Sequence, residues 1–530
     1  MEQKKRQEKG RREGRMNPGA GVFALLIFLI FRILVTNIIG DEGNGYLAVS
    51  GEIYGLFYLL FGYGYTKAIT RMVRTRMERN LYLNSIRVMK NTVLAGLISS
   101  LAGAAVLYAL RGTIAELLPS GNMVEISMIL FIPLLPIKTL VGMFRGYFEG
   151  MGTGVPTEVS RLIEAVITAT GAFIFVFITS SYGIKVADLL HNEHYGAGFA
   201  SAGVVAGYLC GNLLALIFLS FVYVLYKTGY NRLLKKDMSK ALESRRDLFW
   251  ETLLGVFSGL SQVLFLRIYL LVNLVYFLGS RRDDENALAS IKIVGSFYGK
   301  IIILISMAVV LILTLTKTGK RRKSTRALQH EIRSGKYLLG DELQRLFSLA
   351  IPVMGSLIVL SKTLLKTLYK TAGKTEIMLL CIAGVNLVFL VLGIYLYRLM
   401  ADLDRKKQSA VIGLIAFVVQ TFVLVGLGTA VDLEGFSLST LSLGLAPLVF
   451  WIVFSLGQLF FLLRLYPIRL PWRRMVVLPL IQTGIMVVVE LIIVRLSGNS
   501  IPSWSVCLLA VGMGGLFHQL TGRVPVLNMV

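Results

Sequence analysis

Several stretches that are otherwise apolar contain a charged side chain far from either end. Arg32, for example, follows the apolar run 23–31 and precedes the apolar residues 33–35. A charge at the middle of a bilayer costs about 2.5–3.5 kcal/mol on insertion scales, so such a residue usually faces protein, water or a bound ion. The pattern therefore favours binding of an ionic group over covalent catalysis. The candidate binding residues are Arg32, Glu52, Lys138, Arg267, Lys292 and Lys300.

Two other interpretations of the buried charges stay open. A long basic side chain near a helix end can place its charge at the membrane surface, which suits Lys67, Lys366 and Arg495 best. Glu52 could instead form a buried pair with Arg32, and that pair would have a purely structural role.

Motifs for hydrolysis or for a metal site are incomplete. The basic sequence 317–320 has Thr314 where a phosphate-binding loop needs a glycine, and the glycines of 150–154 do not follow a strand. One loop groups Asp188, His191, Glu193 and His194. Their spacing is not His-Glu-x-x-His, so a solvated loop is the simpler interpretation. The four histidines of the chain offer no convergent catalytic triad. We therefore expect no enzyme, no metal site and no cofactor.

The composition is that of an integral membrane protein. The 530 residues are 55% hydrophobic, with a mean hydropathy of +0.70, whereas soluble domains contain about 45–50% apolar residues and more charge. A spanning helix needs about 20 apolar residues. We predict an all-α polytopic fold with about fourteen spans: 20–39, 46–70, 86–110, 123–146, 156–180, 199–226, 249–279, 287–316, 345–369, 376–399, 409–430, 437–463, 474–496 and 503–521.

The net charge of +25 comes from the loops. Basic residues crowd the loops after even-numbered spans and are sparse in the others, and cytoplasmic loops carry such an excess. Both termini are therefore predicted to be cytoplasmic, with a basic tail at 1–19 and a basic linker at 227–248. These segments are expected to meet anionic membrane lipids rather than nucleic acid. The linker is either solvated or holds an amphipathic surface helix such as 233–248.

The connection between spans 4 and 5 contains three glycines and a proline. Gly150, Gly152 and Gly154 are predicted to end the first helix, because glycine leaves helical geometry at little steric cost. Pro156 suits the first turn of the next helix. That helix then carries a charged face made of Glu158, Arg161 and Glu164, which are spaced three apart.

The same connection carries a family resemblance. Together with a block near the N-terminus it resembles the stage V sporulation protein B group of the multidrug/oligosaccharidyl-lipid/polysaccharide (MOP) exporter superfamily, whose relatives include the lipid II flippase MurJ and Wzx flippases. The matching residues of the connection are Arg145-Gly146-Tyr-Phe, Gly150, Pro156-Thr157, Ser160 and Glu164. The N-terminal block consists of Arg32-Ile, 39–45, Ile53-Tyr54, Gly64, Ala68-Ile69, Arg76 and Arg87-Val88.

The resemblance implies an architecture and a function. It implies two six-helix lobes, at 20–226 and 249–463, followed by two further helices at 474–521. It implies a cationic cavity between the lobes, lined by spans 1, 2, 7 and 8, in which Arg32 matches a family arginine. It also gives Arg145, Gly146, Gly150, Pro156 and Glu164 a structural role. The expected activity is movement of a polyprenyl-diphosphate-linked saccharide across a bacterial cell membrane by alternating access. Arginine suits this substrate because it can form two parallel bonds to phosphate.

Two other functions remain open at this point. One is a non-transporting scaffold that recruits glycosyltransferases or other envelope-synthesis enzymes, which paired interior charges would favour. The other is a drug antiporter coupled to Na+ or H+, which an acidic interior would favour. A coupling ion and envelope enzymes are thus expected as possible partners besides the lipid-linked saccharide.

Overall fold

The computed structural model describes residues 18–234, 237–238, 242–281, 287–316, 333–428, 438–466, 470, 472–497, 505–506 and 512. All regular structure in these ranges is helical, which confirms the predicted all-α membrane fold.

The first half contains six long helices. The helical stretch Pro18–Tyr58 is divided at Gly40 into α1 (18–39) and α2, which continues through a π-helical turn, Leu59–Tyr63, to Glu78. Gly40 has φ 68°, a left-handed conformation that glycine adopts easily. The next four helices are α3 (Tyr82–Glu116), α4 (Gly121–Met151), α5 (Val155–Leu190) and α6 (His194–Leu234).

The remaining described helices include three that are interrupted. Span 7 is the pair α7 (Arg245–Val263) and α8 (Phe265–Gly279), bent by 58°. Span 8 is α9 (Ala287–Leu315), with a π-helical turn at Phe297–Ile301. Span 9 is broken at Leu360 into α10 (Arg333–Val359) and α11 (Ser361–Tyr369). The others are α12 (Lys374–Asp402), α13 (Lys406–Gly428), α14 (Leu438–Leu465) and α15 (Leu478–Ser497), which follows a π-helical turn at Arg473–Val477.

The helices have the length and composition of membrane spans. Over the described ranges, eleven helices are long and apolar enough to cross a bilayer, or twelve if the bent pair α7–α8 is one span. That count treats 21–78 as one helix, although it contains both α1 and α2. The predicted span 503–521 lies outside the described residues, apart from 505–506 and 512.

Exposed apolar faces agree with a lipid environment. Along α5, the side chains of Phe173, Ile174, Phe177 and Ile178 all remain exposed. They recur at helical spacing on one side of the helix, and in a bilayer such a side contacts lipid.

The chain forms two compact units. Unit 1 comprises the chain up to Leu271 together with 281–295, and unit 2 comprises 272–280 and the residues from Ser296 onward. The division therefore falls inside α8 and inside α9. The predicted lobes at 20–226 and 249–463 and the pair at 474–521 remain predictions.

The basic linker between α6 and α7 is attached to unit 1. Arg76, at the end of α2, pairs with Glu243 at 2.5 Å and with Glu251 at 2.7 Å. Asp237 accepts a hydrogen bond from the backbone N–H of Tyr82 at 2.9 Å. Residues 237–238 and 242–244 are not helical, so a continuous amphipathic helix over 233–248 is wrong. Two of these acids, Asp237 and Glu243, belong to the linker, whereas Glu251 lies in α7.

Candidate functional site

One glycine with a positive φ ends α4 and begins the connection to α5. Gly152 has φ 84°, which strains any residue with a Cβ atom. Gly154 has φ −82° and ψ −19°, a conformation open to any residue, so the expectation that it leaves helical geometry is wrong. Pro156 lies in the first turn of α5 as predicted. Gly150 is still within α4, so the prediction that it ends this helix is wrong, and its role is packing.

Glycines of α4 line its contact with α2. A Cβ atom on Gly146 would lie 2.7 Å from the carbonyl oxygen of Thr66, and one on Gly150 would lie 2.8 Å from the Cβ of Val73. Glycines four residues apart share one helix face and let two backbones approach closely. The family-motif glycines thus position α4 against α2.

A charged cluster inside unit 1 joins α4 to α5. The guanidinium of Arg145 pairs with Glu164 at 2.8 Å, and its Nε donates to the Ser160 hydroxyl at 2.8 Å. Lys138, one of the candidate binding residues, pairs with the other Glu164 oxygen. The side chains of Glu164 and Arg145 are mostly buried. The motif residues therefore form an ionic clasp between the two helices.

The charged face predicted for α5 is divided between two clusters. Arg161 pairs with Glu158 at 3.0 Å and with Glu149 of α4 at 3.1 Å. Glu164 belongs instead to the clasp with Arg145. The three charged residues therefore do not form one cluster. On α4, the acid Glu149 contacts Arg161, whereas the bases Lys138 and Arg145 contact Glu164.

Arg32 is bound to a neutral residue. Its Nη2 donates to the side-chain oxygen of Asn44 at 2.9 Å. Asn44 is itself held by the carbonyl oxygens of Gly40 at 2.6 Å and Thr36 at 3.2 Å. The Nη1 atom of Arg32 is buried and has no hydrogen-bond partner among the described residues. Asn44 was not among the predicted site residues, because it lies in the polar stretch 40–45 between predicted spans 1 and 2.

Glu52 faces Arg267 rather than Arg32. No ion pair joins Glu52 to Arg32 in the part of the chain that the structure describes, so the alternative of a structural pair between them is wrong. Glu52 and Arg267 line one cleft with Gly55, Leu56, Ile268 and Leu271. The cleft measures about 10 Å³, room for roughly one water molecule. Arg267 is exposed.

Lys292 belongs to another polar group of unit 1, around Glu42. Its ammonium lies 3.6 Å from Glu42, and half of its side chain is exposed. Glu42 also accepts from the Tyr46 hydroxyl at 3.0 Å and lies 2.8 Å from Nδ1 of His194. His194 is therefore not simply a residue of a solvated loop, as the sequence suggested: it begins α6 and bonds to α2.

Lys300 lies in unit 2, whereas the other candidates lie in unit 1. It is only 3% exposed and sits in the π-helical turn of α9. Its ammonium pairs with Glu376 at 2.8 Å and donates to the Thr371 hydroxyl at 2.9 Å. These contacts neutralise the charge and join α9 to the start of α12.

Among the described residues, no three His, Cys, Asp or Glu side chains are grouped so that they could hold a metal ion. The site therefore offers two cations. Within the described ranges Arg32 has only a neutral partner, and Arg267 is exposed beside one acid, Glu52. Such groups can bind an anion without forming a covalent intermediate.

Sequence comparison assigns the chain to a family. Residues 19–314, more than half of the 530 residues, match the family described as "Polysaccharide biosynthesis protein". The chain belongs to this family. Stage V sporulation protein B of Bacillus subtilis (strain 168) is 23% identical over 232 residues, which are 43% of this chain and 41% of that relative. The aligned region thus spans less than half of either protein.

Two solved structures share the fold. The lipid II flippase MurJ, in an inward closed conformation, superposes with a TM-score of 0.67 at 14% identity, over 96% of this chain and 98% of that one. An inward-facing multidrug resistance MATE family transporter of the MOP superfamily gives 0.57 at 10% identity, over 83% and 94%. The family resemblance predicted from the two sequence blocks is confirmed. At these identities the likeness is one of fold.

Proposed function

We propose that this membrane protein flips a polyprenyl-diphosphate-linked saccharide from the inner to the outer leaflet of a bacterial cell membrane by alternating access. Membership of the polysaccharide biosynthesis family and a fold like that of a lipid II flippase support the general class. The orientation with both termini in the cytoplasm is part of the proposal and rests on the basic loops.

The single observation that carries the proposal is the state of Arg32. A cation in an apolar helix is costly unless a counter-charge or water meets it. Arg32 has a neutral amide on one nitrogen, and no described residue bonds to its buried Nη1. An anionic ligand would supply the missing charge, and a diphosphate could accept two parallel hydrogen bonds from the guanidinium.

The other candidate residues differ in how readily their charge could reach a ligand. Arg267 is a second contact for the diphosphate because its side chain is exposed. The nearby carboxylate of Glu52 partly offsets its positive charge. Lys292 could exchange its 3.6 Å contact with Glu42 for a ligand, since half of its side chain is exposed. Lys138 and Lys300 already have carboxylate partners, so a ligand would have to displace Glu164 or Glu376.

The test is a flipping assay with the full-length protein in liposomes and a labelled polyprenyl-diphosphate saccharide. Arg32→Ala should weaken binding of the diphosphate by about 1.5–3 kcal/mol, which is roughly ten- to a hundred-fold in rate below saturation. Arg32→Lys should recover part of the activity, because lysine is a point charge without the planar fork.

Asn44→Asp gives a sharper test, because it keeps the arginine. The new carboxylate would lie about 2.9 Å from Nη2 of Arg32 and neutralise it, so flipping should fall as it does in Arg32→Ala. The matched control is Arg71→Ala, which removes an exposed arginine at the end of α2 and should leave the rate unchanged. Parental rates in both Arg32→Ala and Arg267→Ala, at equal insertion, would refute the cationic mechanism.

A scaffold function is the second candidate, and one observation favours it. Lys138, Lys292 and Lys300 each lie within 4 Å of a carboxylate, so much of the interior charge is internally balanced. If the parental protein flips no lipid in the assay while affinity capture from membranes recovers glycosyltransferases, the scaffold function is supported instead.

A further inference from the structure

The carboxyl group of Glu490 lies in the middle of an apolar helix. It is 0% exposed and belongs to α15, in the sequence Ile485-Met-Val-Val-Val-Glu-Leu-Ile-Ile-Val494. Its Oε1 lies 2.6 Å from the hydroxyl of Ser356 in α10. Its Oε2 is buried and has no hydrogen-bond partner among the described residues. Both helices belong to unit 2.

Glu490 differs from Glu164 and Glu376, two acids of the helices that have cationic partners. Glu164 has two cations, and Glu376 has Lys300. No described lysine, arginine or histidine lies within ion-pair distance of Glu490.

The charged groups on the elements packed against Glu490 are remote from it. On α10 these are Asp341, Glu342, which bonds to Tyr395, and Arg345, eleven residues and about 16 Å along the helix from Ser356. On the turn before α15 they are Arg473 and Arg474, more than four helical turns away. Arg495 is exposed and lies five residues on, which places it on another side of α15.

Close packing of α10 against α15 encloses the carboxyl group. A Cβ atom on Gly355 would lie 2.5 Å from Thr483 and 3.2 Å from Val487. Because Gly355 has none, the adjacent Ser356 reaches Glu490. Thr483, Met486 and Glu490 share one face of α15, and all three are buried.

An ionised carboxylate in this position would be unfavourable. Burial of a charge without a counter-ion costs several kcal/mol, and the group becomes neutral instead. A neutral carboxylic acid can donate its O–H to the Ser356 oxygen, and 2.6 Å lies within the normal range of about 2.5–3.0 Å for such a bond. The remaining oxygen is then an uncharged carbonyl, which is far less costly to bury.

We propose that Glu490 is a proton-binding site of unit 2, held as the neutral acid by Ser356 between α10 and α15. The proton can leave only when the two helices separate enough for water or a cation to reach the carboxylate. This inference goes beyond the proposed lipid transport, and its test does not depend on it.

The experiment is infrared difference spectroscopy of the full-length protein in lipid vesicles at neutral pH. The parent should show the C=O stretch of a protonated carboxylic acid, and Glu490→Gln should lose one such group per protein. Ser356→Ala should keep the band and move it to higher frequency, because the hydrogen bond is lost. Glu376→Gln is the matched control and should leave the band unchanged, since Glu376 is an ionised partner of Lys300. An identical band in parent and Glu490→Gln would overturn the proposal.

A second measurement uses the parental protein alone. A lipid-soluble carbodiimide, which reacts with protonated carboxyl groups in a membrane, should modify Glu490, as read by mass spectrometry of the peptide. Equal modification in sodium chloride and choline chloride is expected for a proton site. Absence of modification, or protection by sodium, would overturn the proposal, the latter in favour of a metal-cation site.

Discussion

Replacing Glu164 with glutamine should destabilise the clasp between α4 and α5. Glu164 accepts one charge-assisted contact from Arg145 at 2.8 Å and one from Lys138. Each such bond contributes about 1.5–3 kcal/mol, so both together would give about 3–6 kcal/mol. The Lys138 side chain is 30% exposed and can turn toward water, which lowers the loss to about 3–5 kcal/mol, as for other broken buried pairs.

Two further variants give the expected order. Lys138→Met leaves Glu164 paired with Arg145 and should cost about 1–2 kcal/mol. Glu149→Gln leaves Arg161 paired with Glu158, and because Arg161 is 37% exposed the loss should be about 0–1 kcal/mol.

The assay heats each full-length variant in detergent micelles and records the temperature at which half of the monodisperse peak is lost in size-exclusion chromatography. Because such unfolding is often irreversible, the ranking is the result to compare rather than absolute free energies. Glu164→Gln should have the lowest midpoint, followed by Lys138→Met, with Glu149→Gln close to the parent. If Lys138→Met lowers the midpoint as much as Glu164→Gln does, the claim that Glu164 is stabilised by two separate ion pairs is refuted.

The remaining predictions concern packing and topology. Gly150→Val should reduce the folded yield strongly, because its side chain would meet the α2 backbone, whereas Gly154→Val should be tolerated at an ordinary φ; equal yields would contradict this. Gly295→Val should be more damaging still, because a Cβ there would lie 1.7 Å from a backbone oxygen of α2, and a parental melting midpoint would argue against that contact. In a cysteine-free background, Glu193→Cys should be labelled only from outside and Asn80→Cys only from the cytoplasm; labelling of both from one side would exclude the proposed orientation.

Much of the fold could be predicted from hydropathy and charge alone. Runs of about 20 apolar residues can only be helices in a bilayer, because every backbone group must be paired within the segment. The glycines and Pro156 correctly predicted that one helix ends and another begins between Met151 and Val155. The break at Leu360 could not be placed, because a kink between two helices leaves the hydropathy of the span almost unchanged.

What the sequence could not decide is which charges neutralise each other. It identified Arg32, Lys138, Arg267 and Lys300 as equivalent cations in apolar helices. An ion pair requires two side chains within 4 Å, and Glu164 and Glu376 are 26 and 76 residues from the lysines that they neutralise. Only helix packing brings those acids to Lys138 and Lys300.

The same reason explains Arg32 and Glu490. The sequence determined that each is an ionisable group in an apolar helix. The tertiary structure decided that Arg32 meets a neutral amide across the Gly40 kink, and that Glu490 meets a single hydroxyl. Whether a buried charge is satisfied depends on groups a few ångströms away in space, and these come from other helices or from beyond a turn whose geometry the linear order does not specify.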